Sequence, residues 1–276
     1  MLNILKEKNA LTNLLYLNIA VFVLINLLKV LMYLFQNTID ISFLCVSSNI
    51  NILITKPWTL ITYMFVHEDL FHIIVNLFWL YFSGKIFINY LSPNKLFSTY
   101  LMGGIIGAIL YIIAFNVFPV FDTIKSESIA MGASASVLAI LIASATHVPD
   151  YPIRVFTNIT IKLKYIAITA VIIDVLSIQH GNAGGHIAHL GGALYGYIYI
   201  SLRKKNINTG YIIEQLILLI SKNNTIKSKK RSESDYEYNA RKHKEQTKIN
   251  TILEKISRSG YDSLSSEEKN ELFKHK

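Results

Sequence analysis

Long apolar runs constrain this chain more than any other feature of its sequence. Hydrophobic residues make up 52% of its 276 positions, and runs of membrane length recur up to residue 202. A helix needs about 20 consecutive, mostly apolar residues to cross the hydrocarbon core of a bilayer. Because lipid offers no hydrogen bonds, a crossing segment must satisfy its backbone groups internally, as a helix does. The sequence therefore predicts an all-α membrane protein.

Turn residues and charges divide the apolar region into six spans. Pro93 follows the second, Pro149 follows the fourth, and three basic residues from Arg203 close the last. The predicted spans are 11–35, 69–91, 96–118, 129–148, 161–178 and 186–202. The first run is too long for the core of a signal peptide, and no small-residue cleavage site follows it, so we interpret it as a retained span.

The distribution of charge predicts the orientation. The net charge is +9, and much of the Lys and Arg follows residue 202. With a cytoplasmic N-terminus, the outer loops carry only Lys56 and Lys125. The inner segments then hold Lys6, Lys8, Lys85, Lys95, Arg154, Lys162, Lys164 and the residues from Arg203 onward. Since cytoplasmic loops are enriched in Lys and Arg, we expect a multi-pass protein of the cell membrane with both termini in the cytoplasm. The basic tail is expected to contact anionic lipid rather than nucleic acid.

Four segments are predicted along the chain. They are a cytoplasmic N-terminus (1–10), a six-span domain (11–205), an interfacial helix at 211–220 with a charged linker (together 206–248), and a small helical hairpin (249–276). In the last segment, apolar residues recur at helical spacing and Gly260 can cap the first helix. Ser265 and Glu268 have the spacing of a capping box that starts a second helix.

Polar residues inside the spans are costly in lipid and therefore mark functional sites. The predicted orientation makes spans 2, 4 and 6 begin at the outer face. At about 1.5 Å rise per residue, Ser134 of span 4, His189 of span 6, and His72 and Asn76 of span 2 lie in the outer third of the bilayer. Ser134 is placed about five residues into its span. Three helices thus bring Ser, His, His and Asn to one depth.

These residue types fit acyl transfer. A serine hydroxyl becomes a nucleophile when a base such as His189 takes its proton. His72, Asn76 and the N–H of Ser134 can donate hydrogen bonds to the oxyanion. Gly192 and Gly196 would let span 6 pack closely against Gly132 and its neighbours. No carboxylate occurs at this depth in spans 2, 4 or 6, which predicts a Ser–His dyad rather than a triad.

Other polar residues receive structural interpretations. Ser136 is a rival nucleophile, but it lies about 200° from Ser134 around the helix, so only one of them can face His189. His186 is expected to be solvated or structural, and His67 to be a supporting loop residue. Asp174, a carboxylate at mid-to-outer depth in span 5, is expected to form a structural hydrogen bond rather than a proton relay.

No metal or cofactor is expected. His67 and His72 are five residues apart, which places them about 140° apart on a helix and excludes the zincin pattern. His186 and His189 have better spacing but no obvious carboxylate partner. Cys45 is the single cysteine, so neither an intrachain disulfide nor a Cys-based zinc site can form.

Several motifs together resemble a known family. Gly132-Ala133-Ser134-Ala135 resembles the GxSG nucleophile motif of rhomboid intramembrane serine proteases, and the segment 188–196 is similar to their AHxxGxxxG helix. His72 and Asn76 resemble their HxxxN element, preceded by His67, and the segment 57–65 resembles the approach to it. The ordered set covers residues 10–205. Part of the tail, 251–269, resembles an extension of some bacterial rhomboids.

The resemblance implies a six-helix rhomboid-like bundle in which Ser134 is the nucleophile and His189 the general base. It implies an oxyanion hole of His72, Asn76 and the Ser134 N–H, and a transmembrane segment of another protein as substrate, cut near the outer face. The sequence departs from the family pattern at Ala135, where glycine is usual, and at Leu138, where an aromatic residue often stacks on the histidine.

Two other functions compete with this interpretation of the sequence. A non-catalytic rhomboid-like scaffold or chaperone would bind transmembrane segments without cutting them, but such proteins typically lose the serine or the histidine, and both are present here. A small-solute transporter would be expected to contain an internal repeat or paired broken helices, and the sequence has neither pattern.

Overall fold

The protein divides into two compact units. The computed structural model describes residues 10–156, 159–207, 209–211, 213–215 and 235–274. The membrane unit comprises residues 1–89 and 93–225, and the C-terminal unit comprises 226–276 together with 90–92.

Eight α-helices make up most of the described membrane unit. They are α1 (Ala10–Leu34), α2 (Ile50–Thr55), α3 (Thr59–Thr62), α4 (Leu70–Tyr90), α5 (Pro93–Val117), α6 (Ser134–His147), α7 (Leu163–Ser177) and α8 (Ala183–Arg203). Short 3₁₀ turns occur at Ser42–Leu44, Tyr63–Phe65 and Pro119–Phe121. Among the described residues, α1, α4 and α5 are long and apolar enough to cross a membrane, and α6 is a shorter apolar helix. A helix is present at each of the six predicted spans, while the crossing of the membrane by α6, α7 and α8 stays a prediction.

The start of the fourth predicted span is wrong. The sequence places it at residue 129, whereas α6 begins at Ser134. Ile129–Ala130 forms a short strand, β2, that pairs antiparallel with β1 (Val46–Ser47). Ser134 is therefore the first residue of its helix and does not lie about five residues into it.

Helix α6 lies at the centre of the membrane unit because small residues surround it. Every residue from Ala135 to Ala145 is buried. A Cβ added to Gly192 would collide with the backbone of Ala135, and one added to Gly196 would collide with the backbone of Ala139. Only glycine lets the backbones of α6 and α8 approach this closely.

A β-hairpin, which the sequence analysis did not predict, connects α6 to α7. Its strands are β3 (Pro152–Phe156) and β4 (Ile159–Lys162). Asp150 closes its base through ion pairs with Lys162 at 3.0 Å and Lys164 at 2.9 Å. The hydrogen bond from Lys164 is the main cause that lowers the pKa of the Asp150 carboxyl.

The C-terminal unit is a helical hairpin. Its helices are α9 (Asp235–Ser259) and α10 (Ser266–Lys274), joined by a 3₁₀ turn at Tyr261–Ser263. The charged linker was predicted to extend to residue 248, but the chain is helical from Asp235 onward, so this part of the prediction is wrong. Most of the predicted interfacial helix at 211–220 lies outside the described residues.

The turn of this hairpin is closed by the predicted capping box. Gly260 has a φ of +76°. The Glu268 carboxylate accepts a hydrogen bond from the N–H of Ser265 at 2.7 Å, and the Ser265 hydroxyl accepts one from the N–H of Glu268 at 3.2 Å. Lys255 of α9 donates to the same carboxylate at 2.8 Å. The two helices are thereby joined through one side chain.

Glu268→Gln is expected to weaken this hairpin in a pH-dependent way. Lys255 lowers the pKa of the Glu268 carboxyl below its ordinary 4.5, so its ionised form stabilises the fold above that pH and the contribution is lost as pH falls. Glutamine can keep the capping box but not the charge. Hydrogen exchange of the α9 amides in the whole protein, corrected for intrinsic rates, should be faster in the variant at pH 7, by at most about fivefold. The difference should vanish near pH 3, and a difference that persists there would contradict this interpretation.

Candidate active site

Ser134 lies at the amino end of α6, directly after a turn that only glycine adopts easily. Gly132 has a φ of +122°, and its N–H donates to the carbonyl of Tyr63 at 2.9 Å. As the first helical residue, Ser134 has an N–H with no intrahelical acceptor. Because the helix dipole is positive at this end, the position favours a developing anion.

His189 of α8 contacts the Ser134 hydroxyl. Its Nε2 lies 2.6 Å from Ser134 Oγ. Gly192, one turn further along α8, packs on the backbone of Ala135, which brings α8 close enough for this contact. The Ser134 side chain is half-buried and that of His189 retains 23% exposure. The pair is a hydroxyl beside an imidazole base at hydrogen-bond distance, which is the arrangement that activates a serine nucleophile.

Asp174 of α7 is a site residue that the sequence analysis assigned to a structural role. Its Oδ1 lies 2.8 Å from Nδ1 of His189 and 2.8 Å from Nδ1 of His186. Spans 2, 4 and 6 contain no carboxylate at this depth, as predicted, but the expectation that none accompanies the Ser134–His189 pair is wrong, because Asp174 of span 5 contacts His189. Asp174 lies in the last turn of α7, which reaches the end of the bundle where α6 and α8 begin. His186 contacts the same oxygen, which fits the structural alternative of its prediction better than the solvated one.

His72 of α4 lies beside the turn at Gly132 that precedes Ser134. A Cβ added to Gly132 would be 2.9 Å from the His72 ring and 3.7 Å from Ser134 Oγ. Asp69 caps α4 by accepting from the N–H of His72 at 2.8 Å. The ring of His67 packs edge-on against that of His72, with 5.1 Å between centroids.

Asn76 and His67 are held by backbone groups. The amide of Asn76, which is buried, donates to the carbonyl of His72 at 3.0 Å. His67, also buried, accepts from the N–H of Ala133 at 3.5 Å. The structure thus brings the side chains of Ser134, His189 and His72 together at the amino end of α6. The Asn76 amide, in contrast, donates to a carbonyl of its own helix.

Ser136 faces away from the histidine. Its hydroxyl is fully buried, and a Cβ added to Gly104 of α5 would lie 2.6 Å from it. Within the described part of the chain, this hydroxyl has no hydrogen-bond partner.

Ser136→Ala is therefore expected to keep the activity of the protein. The rate of any reaction that uses the Ser134 hydroxyl should stay within about twofold of the wild type, because the removed Ser136 hydroxyl has no hydrogen-bond partner among the described residues. The free energy of unfolding should be unchanged or higher by about 1 kcal/mol, since a buried hydroxyl without a partner is removed. Rate assays and thermal melts of the purified variant check both. A loss of activity with an unchanged melt would show that Ser136 has a chemical role.

The side chains of Asp174, His186 and His189 are also the types that hold a divalent metal. Their ligating atoms lie within 4.8 Å of one another. Asp174 is thus a carboxylate partner for His186 and His189, which were predicted to have no obvious one. The two 2.8 Å separations suit N–H···O hydrogen bonds. Ligands of a tetrahedral zinc ion, at bond lengths of 2.0–2.2 Å, stand about 3.3 Å apart. The observed distances fit hydrogen bonds better than metal ligation.

Comparison with known proteins agrees with the motifs. A family model described as Rhomboid domain matches residues 55–206, which is more than half of the chain. A second family model, described as a family of unknown function (DUF6576), matches residues 233–275.

Two curated proteins are similar to the membrane unit. RHOMBOID-like protein 12, mitochondrial, from Arabidopsis thaliana is 31% identical over 144 residues, which cover 49% of this chain and 43% of that protein. Presenilin-associated rhomboid-like protein A, mitochondrial, from Danio rerio is 27% identical over 155 residues, which cover 53% of this chain and 37% of that protein. The chain therefore spans less than half the length of these relatives.

Proposed function

The chain belongs to the rhomboid family, and we propose that it is an intramembrane serine endopeptidase. Its substrates would be transmembrane segments of other proteins, cut near the outer face of the bilayer. The observation that carries the proposal is the 2.6 Å contact between Ser134 Oγ and His189 Nε2. No cofactor enters this chemistry, and the partners are membrane proteins and lipid rather than nucleic acid.

Acylation of the serine would use that contact directly. His189 Nε2 accepts the hydroxyl proton while Oγ bonds to the carbonyl carbon of the scissile peptide. The C–N bond of the tetrahedral intermediate then breaks, and His189 returns the proton to the departing amine. Water hydrolyses the acyl-enzyme in the same way, with His189 again taking and returning one proton.

The oxyanion of the intermediate would be held at the amino end of α6. The N–H of Ser134 and the adjoining helix dipole are fixed before the substrate binds. His72 lies beside Gly132 and can donate from its ring. Asn76 has a second amide hydrogen besides the one bonded to the His72 carbonyl. We assign these three residues to the oxyanion hole.

The proposed orientation follows from charge. The protein is a membrane protein, and its basic residues favour cytoplasmic termini in a cell membrane. The amino ends of α4, α6 and α8 would then face outward, together with Ser134 and His189. Cleavage would consequently occur near the outer surface.

The second candidate function is a non-catalytic scaffold that binds transmembrane segments. It is less well supported because both Ser134 and His189 are present and in contact. To separate the two functions, the purified protein is reconstituted in liposomes with a single-span membrane protein. A peptidase produces two fragments whose new termini map by mass spectrometry to the transmembrane segment. A stable complex with the intact partner would instead support the scaffold.

A further inference from the structure

Two histidines of α8 share one carboxylate oxygen. Asp174 is buried at 7% exposure, and the Nδ1 atoms of His186 and His189 both lie 2.8 Å from its Oδ1. An ionised carboxylate can only accept hydrogen bonds, so each imidazole must donate from Nδ1. In this arrangement the neutral ring of His189 keeps its lone pair on Nε2, which is the atom that faces Ser134.

We propose that Asp174 is a positioning residue for His189 and that His186 competes with His189 for this carboxylate. The inference rests on the proposed function, because it concerns the base of that reaction. Asp174 would hold the ring and its tautomer, and would stabilise the imidazolium that forms when Ser134 loses its proton. His186 would reduce this effect, since the same oxygen accepts its hydrogen bond as well.

The groups that face His189 determine which substitutions can test the proposed role of Asp174. Asp174 faces it from α7, His186 from one turn earlier on α8, His72 from α4 and the Ser134 hydroxyl from α6. Of these groups, only Asp174 carries negative charge. Removing Asp174 and removing His186 should therefore move the pH dependence of cleavage in opposite directions.

The first test is the pH dependence of kcat/KM for transmembrane cleavage. In Asp174→Asn the imidazolium of His189 loses its carboxylate. The acid limb, which is the fall of kcat/KM at the low-pH side of its profile, should therefore move to lower pH by about one unit. We also expect kcat to fall at least about tenfold. In His186→Ala the carboxylate serves His189 alone, so the acid limb should move to higher pH. KM should change little in either variant, because Asp174 and His186 are proposed to act on the reacting atoms only through the ring of His189.

Asp150→Asn is the matched control. This carboxylate is also ion-paired, but with Lys162 and Lys164 at the base of the β-hairpin. The same substitution there should leave the acid limb in place. A merely structural role of Asp174 would lower the amount of active protein without moving the limb. If Asp174→Asn fails to fold, the upward shift in His186→Ala carries the test.

The second test does not require catalysis. In ¹⁵N-histidine-labelled protein, the His189 signals, assigned by their loss in His189→Gln, should report a proton on Nδ1 at neutral pH. In Asp174→Asn that proton should move at least partly to Nε2. The tautomer of His189 can be measured even in protein that cleaves nothing. A failure of the inference about Asp174 can therefore be told apart from a failure of the proposed peptidase function.

Three results would overturn the inference. One is an acid limb that does not move in a folded Asp174→Asn protein. Another is a His189 ring that keeps its tautomer in that variant. The third is cleavage that is lost in EDTA and restored by Zn²⁺, because Asp174, His186 and His189 would then be metal ligands.

Discussion

Ser134→Ala is expected to lower the rate of transmembrane cleavage by at least about a thousandfold. The hydroxyl that contacts His189 is the nucleophile that attacks the scissile peptide in the proposed mechanism, and alanine offers none. The fold should tolerate the change, because one small polar contact at a half-buried position is worth about 1 kcal/mol. Cleavage is measured with purified protein and a single-span substrate in liposomes, and folding with thermal melts.

The companion variants make this result specific. His189→Ala and the double variant should be about as inactive as Ser134→Ala, because a nucleophile and its base act as a unit and their effects do not add. Ser136→Ala, the same substitution two residues away, should remain active. Cleavage that survives in Ser134→Ala but is lost in Ser136→Ala would disprove the assignment of the nucleophile.

Gly192→Ala is expected to damage both stability and activity. The added methyl would collide with the backbone oxygen of Ala135, which cannot turn aside as a side chain can. Overpacking of this kind costs about 2–3 kcal/mol. Since α8 would be pushed away from α6, His189 would also move from Ser134, and a misplacement of about 1 Å can cost a hundredfold in rate. Thermal melts and cleavage rates measure the two effects.

Gly84→Ala is the matched control for this prediction. A Cβ at Gly84 would meet Leu11 Cδ1 at 2.6 Å, which is the far end of a flexible side chain. Leu11 can turn away, and alanine favours a helix over glycine by about 1 kcal/mol. The control should therefore be near neutral. Equal losses in the two variants would contradict the explanation through backbone contact.

The helices of the membrane unit could be predicted because a bilayer imposes a length and a composition on each. A helix occupies each of the six predicted spans, within a few residues at most ends. The exception is α6, whose apolar run extends back into β2. Ile129 and Ala130 pair with residues more than eighty positions earlier, and such a distant partner leaves no local signal in the sequence.

Asp174 was interpreted as structural for a different reason. Asp174 was predicted to lie at mid-to-outer depth in span 5, but partners of Ser134 were sought only among the helices that start at the outer face. Helix α7 runs the opposite way, and Asp174 lies eleven residues after its start at Leu163, about 17 Å along the axis. Its last turn therefore meets the first turns of α6 and α8. A comparison of the last turn of span 5 with the first turns of spans 4 and 6 would have identified Asp174 as a partner of His189.

The helical segment from Asp235 was also missed. Its charge density and few apolar residues suggested a linker, because such compositions cannot form a core of their own. Among the described residues of this unit, Ile252 of α9 and Leu264 just before α10 are buried, and Lys255 of α9 donates to Glu268 of α10. The charged first half continues the same helix, and its apolar spacing is too sparse to indicate this from the sequence alone.

The most direct test of the proposed chemistry is to locate the adduct of a fluorophosphonate probe by mass spectrometry. Such a probe reacts with a serine whose hydroxyl is activated by a base. We expect one modified residue, Ser134, in the wild-type protein, and no modification in folded His189→Ala. A probe found on Ser136, or modification of Ser134 that is unchanged without His189, would contradict the proposal that these two side chains act together.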